Sequence, residues 1–292
     1  MTSRCAGLIA IPLLVTLFVG CGSGSSTTKK APQPRLNLIS VDKEGEAARW
    51  DRSIGQAKVP VYGYKVVKDY PHSTDSFTEG LVLNNGMLYE GTGLYKQSRL
   101  IKSELSTGQV VAERKLEPQY FGEGVTVLGD QLYQLTYVSN AGFVYDKNTL
   151  KQQKTFDLPT QGWGLTTDGK ELIESNGSAS LLFFDPDTMK LTHFVTVNDY
   201  QGEIGNVNEL EYVSGVVYAN IWQKDCIAMM SPKDGSITGW IDLTGLNPYG
   251  DSAQEEFVFN GIAYDPSSRH LVVTGKCWPK MFEIELVPPA GK

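Results

Sequence analysis

The chain has 292 residues, a net charge of −7 and a pI near 5.1, with 20% charged and 10% aromatic residues. That length allows one large domain or two small ones. The acidic balance leaves no basic stripe to neutralise phosphates, which excludes a nucleic-acid partner, and the four cysteines are too few for a disulfide framework.

The first predicted element is a leader over residues 1–20. Arg4 precedes "LIAIPLLVTLFVG", 13 apolar residues that are too short to span a bilayer comfortably and fit a signal peptide. The run ends at "FVGC", followed by "GSGSSTTKKAPQPR". This resembles a bacterial lipobox, with Phe18 where Leu is usual. It makes Cys21 the expected lipidated N-terminus of the mature chain, held to a membrane of the bacterial cell envelope and facing the periplasm or the exterior. A cleaved secretory signal is the alternative, and it too puts the body outside the cytoplasm. Residues 21–58 are rich in Ser, Thr, Pro, Lys and Glu and read as a flexible linker. The folded body is then 59–292. It keeps Cys226 and Cys277, for which a disulfide and two buried thiols are equally open.

The body repeats itself. "FTEGLVLNNGMLYEGTG" from Phe77 aligns without gaps with "FGEGVTVLGDQLYQLTY" from Phe121. Further copies are "GWGLTTDGKELIESNG" from Gly162, "NVNELEYVSGVVYANIW" from Asn206 and "NGIAYDPSSRHLVVTGK" from Asn260. Equivalent positions 79, 123, 163, 208 and 260 are spaced by 44, 40, 45 and 52 residues, the period of a four-stranded propeller blade. Each unit holds a short apolar strand, a turn such as "LGDQ" or "TDGK", an aromatic and β-branched strand, and a hairpin such as "FFDPDTMKLTHFV". No long amphipathic helical pattern follows Thr74. The last unit, ending on "KMFEIELV", lacks an outer strand, and "VYGYKVVKDY" from Val61 supplies it. The predicted fold is an all-β, five-bladed β-propeller closed by an N-terminal strand. The regular spacing counts against a two-sheet sandwich.

Inner strands of a propeller line a central channel. The first aligned column is Glu79, Glu123, Trp163, Asn208 and Asn260, and a second, at the end of the next strand, is Gly93, Tyr137, Gly177, Trp222 and Lys276. Framework positions are apolar in every copy, whereas these columns carry carboxylates, amides, indoles, a phenol and an amine. Such a ring suits proton transfer on a small polar substrate: aromatic walls raise a carboxyl pKa towards neutrality, and amides hydrogen-bond a developing oxyanion. The bland alternative is that the glutamates only satisfy backbone donors. His72, His193 and His270 read as solvated surface, so a Ser-His-Asp triad or a zinc site is not expected. "DPDTM" at Asp185 reads as a hairpin turn, "NGS" at Asn176 as an uninformative glycosylation match, and "EGTG" at Glu90 lacks the strand-to-helix context of a phosphate loop.

"FTEGLVLNNGMLYEGTGLY", "FGEGVTVL", "GWGLTTDG", "NELEYVSGVVYANIWQKD", "GWIDLTGL" and "VTGKCWPKMFEI" together resemble the plant and bacterial type of glutaminyl cyclases, over about Tyr62 to Leu286. The resemblance implies a five-bladed propeller, unrelated to the zinc-dependent animal type, that needs no cofactor. It implies conversion of an N-terminal glutamine of peptides or proteins to pyroglutamate with release of ammonia. Glu123 takes the position of the catalytic general acid and base. Phe77 would help form the pocket, Trp163 and Trp222 would wall it, Asn208 would hydrogen-bond the substrate and Lys276 would face the channel, with Lys280 a competing match. Glu79 stands where relatives often have Gln, and Tyr137 where they often have Trp; both are kept as substrate-binding positions. The chain is expected to act as a monomer. The rival readings are a lipoprotein propeller that binds peptides or a partner protein without chemistry, and an ester or lactone hydrolase using a channel metal.

Overall fold

The computed structural model describes residues 54–250 and 256–289. The expected leader, the Cys21 anchor and most of the linker lie outside them. Apart from a single 3-10 turn at Ile54–Gln56, every regular element among the described residues is a strand.

Strand β1 (Val61–Pro71) opens the body. One four-stranded sheet holds β2 (Thr78–Asn84), β3 (Met87–Thr92), β4 (Arg99–Glu104) and β5 (Val110–Lys115), in that order. A second holds β6 (Gly122–Leu128), β7 (Gln131–Thr136), β8 (Ala141–Asp146) and β9 (Gln152–Asp157). A third holds β10 (Leu165–Thr167), β11 (Leu172–Ser175), β12 (Ser180–Asp185) and β13 (Lys190–Thr196). A two-stranded ribbon, β14 (Asn198–Asp199) and β15 (Gly202–Glu203), follows. The remaining strands are β16 (Val207–Val213), β17 (Val216–Ile221), β18 (Cys226–Met230), β19 (Ile237–Asp242), β20 (Phe259–Asp265), β21 (His270–Gly275) and β22 (Lys280–Val287). With β1 they form an eight-stranded sheet in the order β16-β17-β18-β19-β1-β22-β21-β20.

Short turns explain why neighbours in sequence are neighbours in space. The β2–β3 turn places Asn85 and Gly86 at φ 51° and 78°, the two left-handed positions that a two-residue hairpin of matching twist requires. In the "DPDTM" hairpin, Asp185 Oδ1 accepts hydrogen bonds from the Thr188 N–H and hydroxyl, so this stretch is a side-chain-stabilised turn.

Strand β1 pairs antiparallel with β22 from Gly63↔Val287 to Pro71↔Lys280, as the missing outer strand should. It also pairs parallel with β19 at Val61↔Trp240 and Tyr62↔Ile241, a second partner that the repeat pattern does not announce.

The apolar core lies between successive sheets. Val82 and Leu100 pack with Val125, Leu132 and Phe143. Tyr133 and Val144 pack with Leu165, Leu172 and Leu182, and Ile173 and Leu181 with Leu210, Val217 and Trp240. Ile227 and Ile241 pack with Ile262, Leu271 and Ile284, and Val272 and Met281 return to Leu81 and Leu88. The last of these interfaces closes a ring. Inner strands β2 and β3 are buried almost throughout while β5 is largely exposed, because each inner strand is covered on both faces by neighbouring sheets.

At the centre the first strands meet backbone to backbone. A Cβ on Gly80 would meet the backbone of Gly124 and Val125; one on Gly124 would meet that of Trp163 and Leu165; one on Gly164 would meet that of Asn208 and Glu209. Gly124 N–H donates to the Trp163 carbonyl at 2.7 Å across this contact. Where the fourth unit has Glu209 in the place of this glycine, the fully buried carboxylate accepts from Leu81 N–H at 3.1 Å and Ile262 N–H at 2.8 Å. One side chain thus joins three first strands.

Two expectations need correction. Trp163 precedes β10 rather than lying within an inner strand, because β10 is only three residues long. His72 is buried rather than solvated, since both ring nitrogens have protein partners. The cysteine question is answered in part: Cys226 is a buried free thiol and is therefore not bonded to Cys277.

Replacing Glu209 by alanine orphans two buried amide donors, each worth about 1–3 kcal/mol. Urea unfolding of Glu209→Ala is expected to show stability lower by roughly 2–5 kcal/mol, with the β-sheet circular dichroism retained.

Candidate active site

The two columns meet through one recurrent backbone bond. Gly93 N–H donates to the Phe77 carbonyl, Tyr137 N–H to Phe121, Trp222 N–H to Asn206, and Lys276 N–H to Val258. Each acceptor sits two residues before its inner-column residue. In these four units the end of the second strand is therefore held beside the start of the first, which brings the two sets of side chains to one end of the ring.

There the residues form a charged cluster. Lys276 Nζ donates to Glu79 Oε1 at 2.7 Å, and Asn260 Nδ2 donates to Glu79 Oε2 at 2.9 Å and to the Thr78 carbonyl at 2.9 Å. The ammonium also lies 4.5 Å from the centre of the Phe77 ring, within cation–π range. Glu79, Glu123 and Lys276 are 3%, 5% and 7% exposed, too little for water to screen them. The competing match, Lys280, points away: it pairs with Asp69 at 2.8 Å, and both side chains are half exposed.

Glu123 differs from Glu79 in what it lacks. Among the described residues no group donates a hydrogen bond to its carboxyl. Burial, and then the negative charge of Glu79, push its pKa well above the ordinary carboxylate range, against the pull of Lys276. Burial also raises Glu79, but the Lys276 charge and the bonds from Lys276 and Asn260 counter it. Of the two, Glu123 is the place for a shared proton, because Glu79 already accepts at both oxygens.

Aromatic rings wall the cluster. Phe121 meets Phe77 edge-on at 6.2 Å between centroids, Tyr95 at 5.5 Å and Tyr137 at 5.9 Å. The Tyr137 hydroxyl is raised by burial and then by Glu123, Tyr95 and Glu79, and that of Tyr95 by burial and then Glu123, so both phenols face the carboxyl. Trp163 and Trp222 meet edge-on at 6.0 Å, with Trp222 36% exposed at the rim. Gly177, at φ 82°, leaves the space that the Trp163 indole fills. Among the described residues, Trp163 Nε1 and Asn208 Oδ1 are buried with no partner, a donor and an acceptor awaiting one.

The structure thus gathers Phe77, Glu79, Glu123, Tyr137 and Lys276 into one cluster. It joins Trp163 to the strand of Glu123 through the Gly124 bond, and fixes Asn208 beside Trp163 through Ser175, whose hydroxyl donates to the Asn208 carbonyl at 2.6 Å and accepts from Gly164 N–H at 2.8 Å. Sequence reasoning missed Tyr95. It lies in the connection between β3 and β4, flanked by Leu94 at φ 77° and Lys96 at φ 67°. Two non-glycine residues in the left-handed region are a costly way to present one side chain. The phrase "GLY" after the first repeat was the available signal.

The glutamine cyclotransferase family profile matches residues 38–286. A glutaminyl-peptide cyclotransferase of Arabidopsis thaliana is 45% identical over 236 residues, covering 78% of this chain and 72% of that protein. The crystal structure of Myxococcus xanthus glutaminyl cyclase superposes with a TM-score of 0.75 at 33% identity, covering 80% of this chain and all of that one. With a family profile spanning most of its length and two such relatives, the chain belongs to the glutamine cyclotransferase family.

Proposed function

We propose that this chain is a glutaminyl-peptide cyclotransferase that closes an N-terminal glutamine onto its own α-amine, with Glu123 as general acid and base. The observation that carries this reading is the Glu123 carboxyl: without a hydrogen-bond donor among the described residues, and raised in pKa by burial and then by a neighbouring carboxylate that is itself fully engaged. A group with its pKa brought towards neutrality can both take and return a proton, a contribution of about 10²–10⁴-fold.

The α-nitrogen of the substrate attacks the carbon of the side-chain carboxamide. A C–N bond forms to close the five-membered lactam, and the bond to the carboxamide nitrogen breaks. Glu123 accepts the proton released by the attacking amine and delivers one to the departing nitrogen, which leaves as ammonia. Both reacting groups belong to one residue, so holding the glutamine folded converts binding into rate. Lys276, pinned above Phe77, supplies positive charge for the developing oxyanion and the Trp163 indole N–H a hydrogen-bond donor, while Asn208 Oδ1 accepts from a substrate N–H; neither of these two atoms has a partner among the described residues. Tyr137, Trp163 and Trp222 exclude water. Glu79 holds Lys276 in place rather than binding the substrate amine, because both its oxygens are occupied.

In the same reading, the sheets are the blades of a five-bladed propeller closed by β1. The chain acts as a monomer on peptides or proteins that begin with glutamine. The apolar run ending at "FVGC" supports a bacterial lipoprotein tethered through Cys21 and facing the periplasm or exterior.

With the full chain and a Gln-initiated dipeptide, ammonia is expected to appear in step with the pyroglutamyl product. Glu123→Gln is expected to lower kcat/KM by roughly 10²–10⁴-fold while the unfolding midpoint hardly moves. A variant as active as the parent would reject Glu123 as the proton carrier.

The pH dependence has a definite sign. The free enzyme needs Glu123 deprotonated to accept the amine proton, so kcat/KM falls as pH drops through its pKa. Glu79 raises that pKa, and Glu79→Gln removes its charge and releases Lys276 to pair with Glu123. The acidic limb of the pH–kcat/KM profile is therefore expected to move to lower pH in Glu79→Gln; an upward shift contradicts the assignment.

A further inference from the structure

A second buried ionic cluster adjoins the first through Thr78. The His72 and Glu90 side chains are 2% and 6% exposed. His72 Nδ1 is 2.7 Å from the Trp278 carbonyl and Nε2 is 3.0 Å from Glu90 Oε1. Both neighbours accept, so both ring nitrogens donate and the ring is an imidazolium. Glu90 also accepts from the Thr78 hydroxyl at 2.7 Å and the Ser76 hydroxyl at 3.3 Å. Backbone bonds complete the tie: His72 N–H to the Pro279 carbonyl at 3.1 Å, and Cys277 N–H to the Ser76 carbonyl at 2.7 Å.

The cluster fastens together the segment 72–78, Glu90 on β3, and the segment 277–279 just beyond β21. The first segment contains Phe77 and leads directly into Glu79, and the last begins one residue after Lys276. We propose that the His72–Glu90 pair is a positioning device for the active site, holding Glu79 and Lys276 in the register that their 2.7 Å contact needs and so fixing the charges that face Glu123. Neither residue touches the substrate. The inference rests on the reading of Glu123 as the proton carrier.

A purely structural role is the competing account, because removing one partner of any buried pair destabilises a fold. The same sheet contains a matched comparison. His270 Nδ1 lies 2.8 Å from Glu283 Oε1, and Tyr70 donates to Glu283 Oε2 at 2.6 Å. That cluster sits at the start of β21, whereas Lys276 follows its end.

Burial alone would lower the His72 pKa; the Glu90 charge and hydrogen bond and the Trp278 carbonyl outweigh it and raise it. Burial alone would raise Glu90; His72, Thr78 and Ser76 together lower it. Both shifts favour the charged pair, and the Glu123 carboxyl stretch is read separately from the imidazole; the titratable and charged groups that face Glu123 are Glu79, Lys276, Tyr95 and Tyr137.

The test compares His72→Asn, which reaches the Trp278 carbonyl but not Glu90, with His72→Gln, which reaches Glu90, and with His270→Asn as control. Two measurements are made on the full chain: the pH profile of kcat/KM on a Gln-initiated dipeptide, and an infrared titration of the Glu123 carboxyl stretch, identified by its loss in Glu123→Gln. His72→Asn is expected to lower kcat by roughly ten- to hundredfold. It is also expected to displace both the acidic limb and the infrared midpoint by roughly half a unit or more. His72→Gln restores part of each, and His270→Asn lowers the unfolding temperature alone. The proposal is overturned if His72→Asn lowers the unfolding temperature and leaves limb and midpoint at their parental values. Glu90→Gln, which keeps an acceptor for Thr78, is measured in the same way should His72→Asn not fold. A parent chain that releases no ammonia sinks the cyclisation reading, and the infrared midpoint then decides the positioning role by itself.

Discussion

The rest of this structure depends on how closely the first strands approach at the centre of the ring. At Gly80, Gly124 and Gly164 the neighbouring backbone occupies the space of a Cβ. Only glycine permits that contact, and without it the strands could not exchange the bond from Gly124 N–H to the Trp163 carbonyl. This is why the first two units share Glu-Gly at 79–80 and 123–124. The glycine is the architectural half. The residue before it is left at the inner edge, where it is free to differ from unit to unit. Glu209 is the exception that shows the rule, since its side chain replaces a direct backbone approach by reaching to two other strands.

Two glutamates in equivalent positions of equivalent motifs have come to opposite states. Glu79 is saturated by a cation and an amide. Glu123 is hydrogen-bonded to neither, and it faces a carboxylate, two phenols and the charge of Lys276 without a bond to it. The difference arises from the second column: Lys276, just past the end of β21 in the last unit, reaches Glu79 in the first, while the equivalent position before Glu123 is Gly93, which has no side chain to offer. A repeat scaffold makes such a division easy, because one substitution in one unit changes the environment of a single copy while the framework that holds all copies is untouched. Fold and chemistry are thereby written at different positions of the same motif.

Much of this was legible in the sequence. The spacing of the units, the turns between strands and the role of residues 61–70 as an outer strand could be read because they depend on local pattern and on counting. The polar columns could be read because a polar residue at a framework position stands out when copies are aligned. The failures share a different cause. His72 looked solvated because its partners, Glu90 and the Trp278 carbonyl, lie on a neighbouring strand and at the far end of the chain. Tyr95 escaped because it belongs to a connection, where alignment of strands says nothing, and its presentation depends on backbone angles at Leu94 and Lys96 that no composition reveals. The parallel pairing of β1 with β19 was invisible because only two residues carry it.

The pairing of β1 with β22 has a consequence for the life of the chain before it is folded. Gly63 meets Val287, so the contact that completes the last sheet joins nearly the two ends of the described body. Contacts of such sequence separation form late, because a long loop must be closed before they return any stabilisation. Each hairpin can form soon after it is synthesised, but β1 waits, edge exposed, until the final strand is made. For the interval, β1 presents an unsatisfied strand edge to its surroundings, with Val66 and Val67 still exposed even after it has paired. The same strand that seals the finished ring is thus the point at which an unfinished one is most open to pairing with another copy of itself.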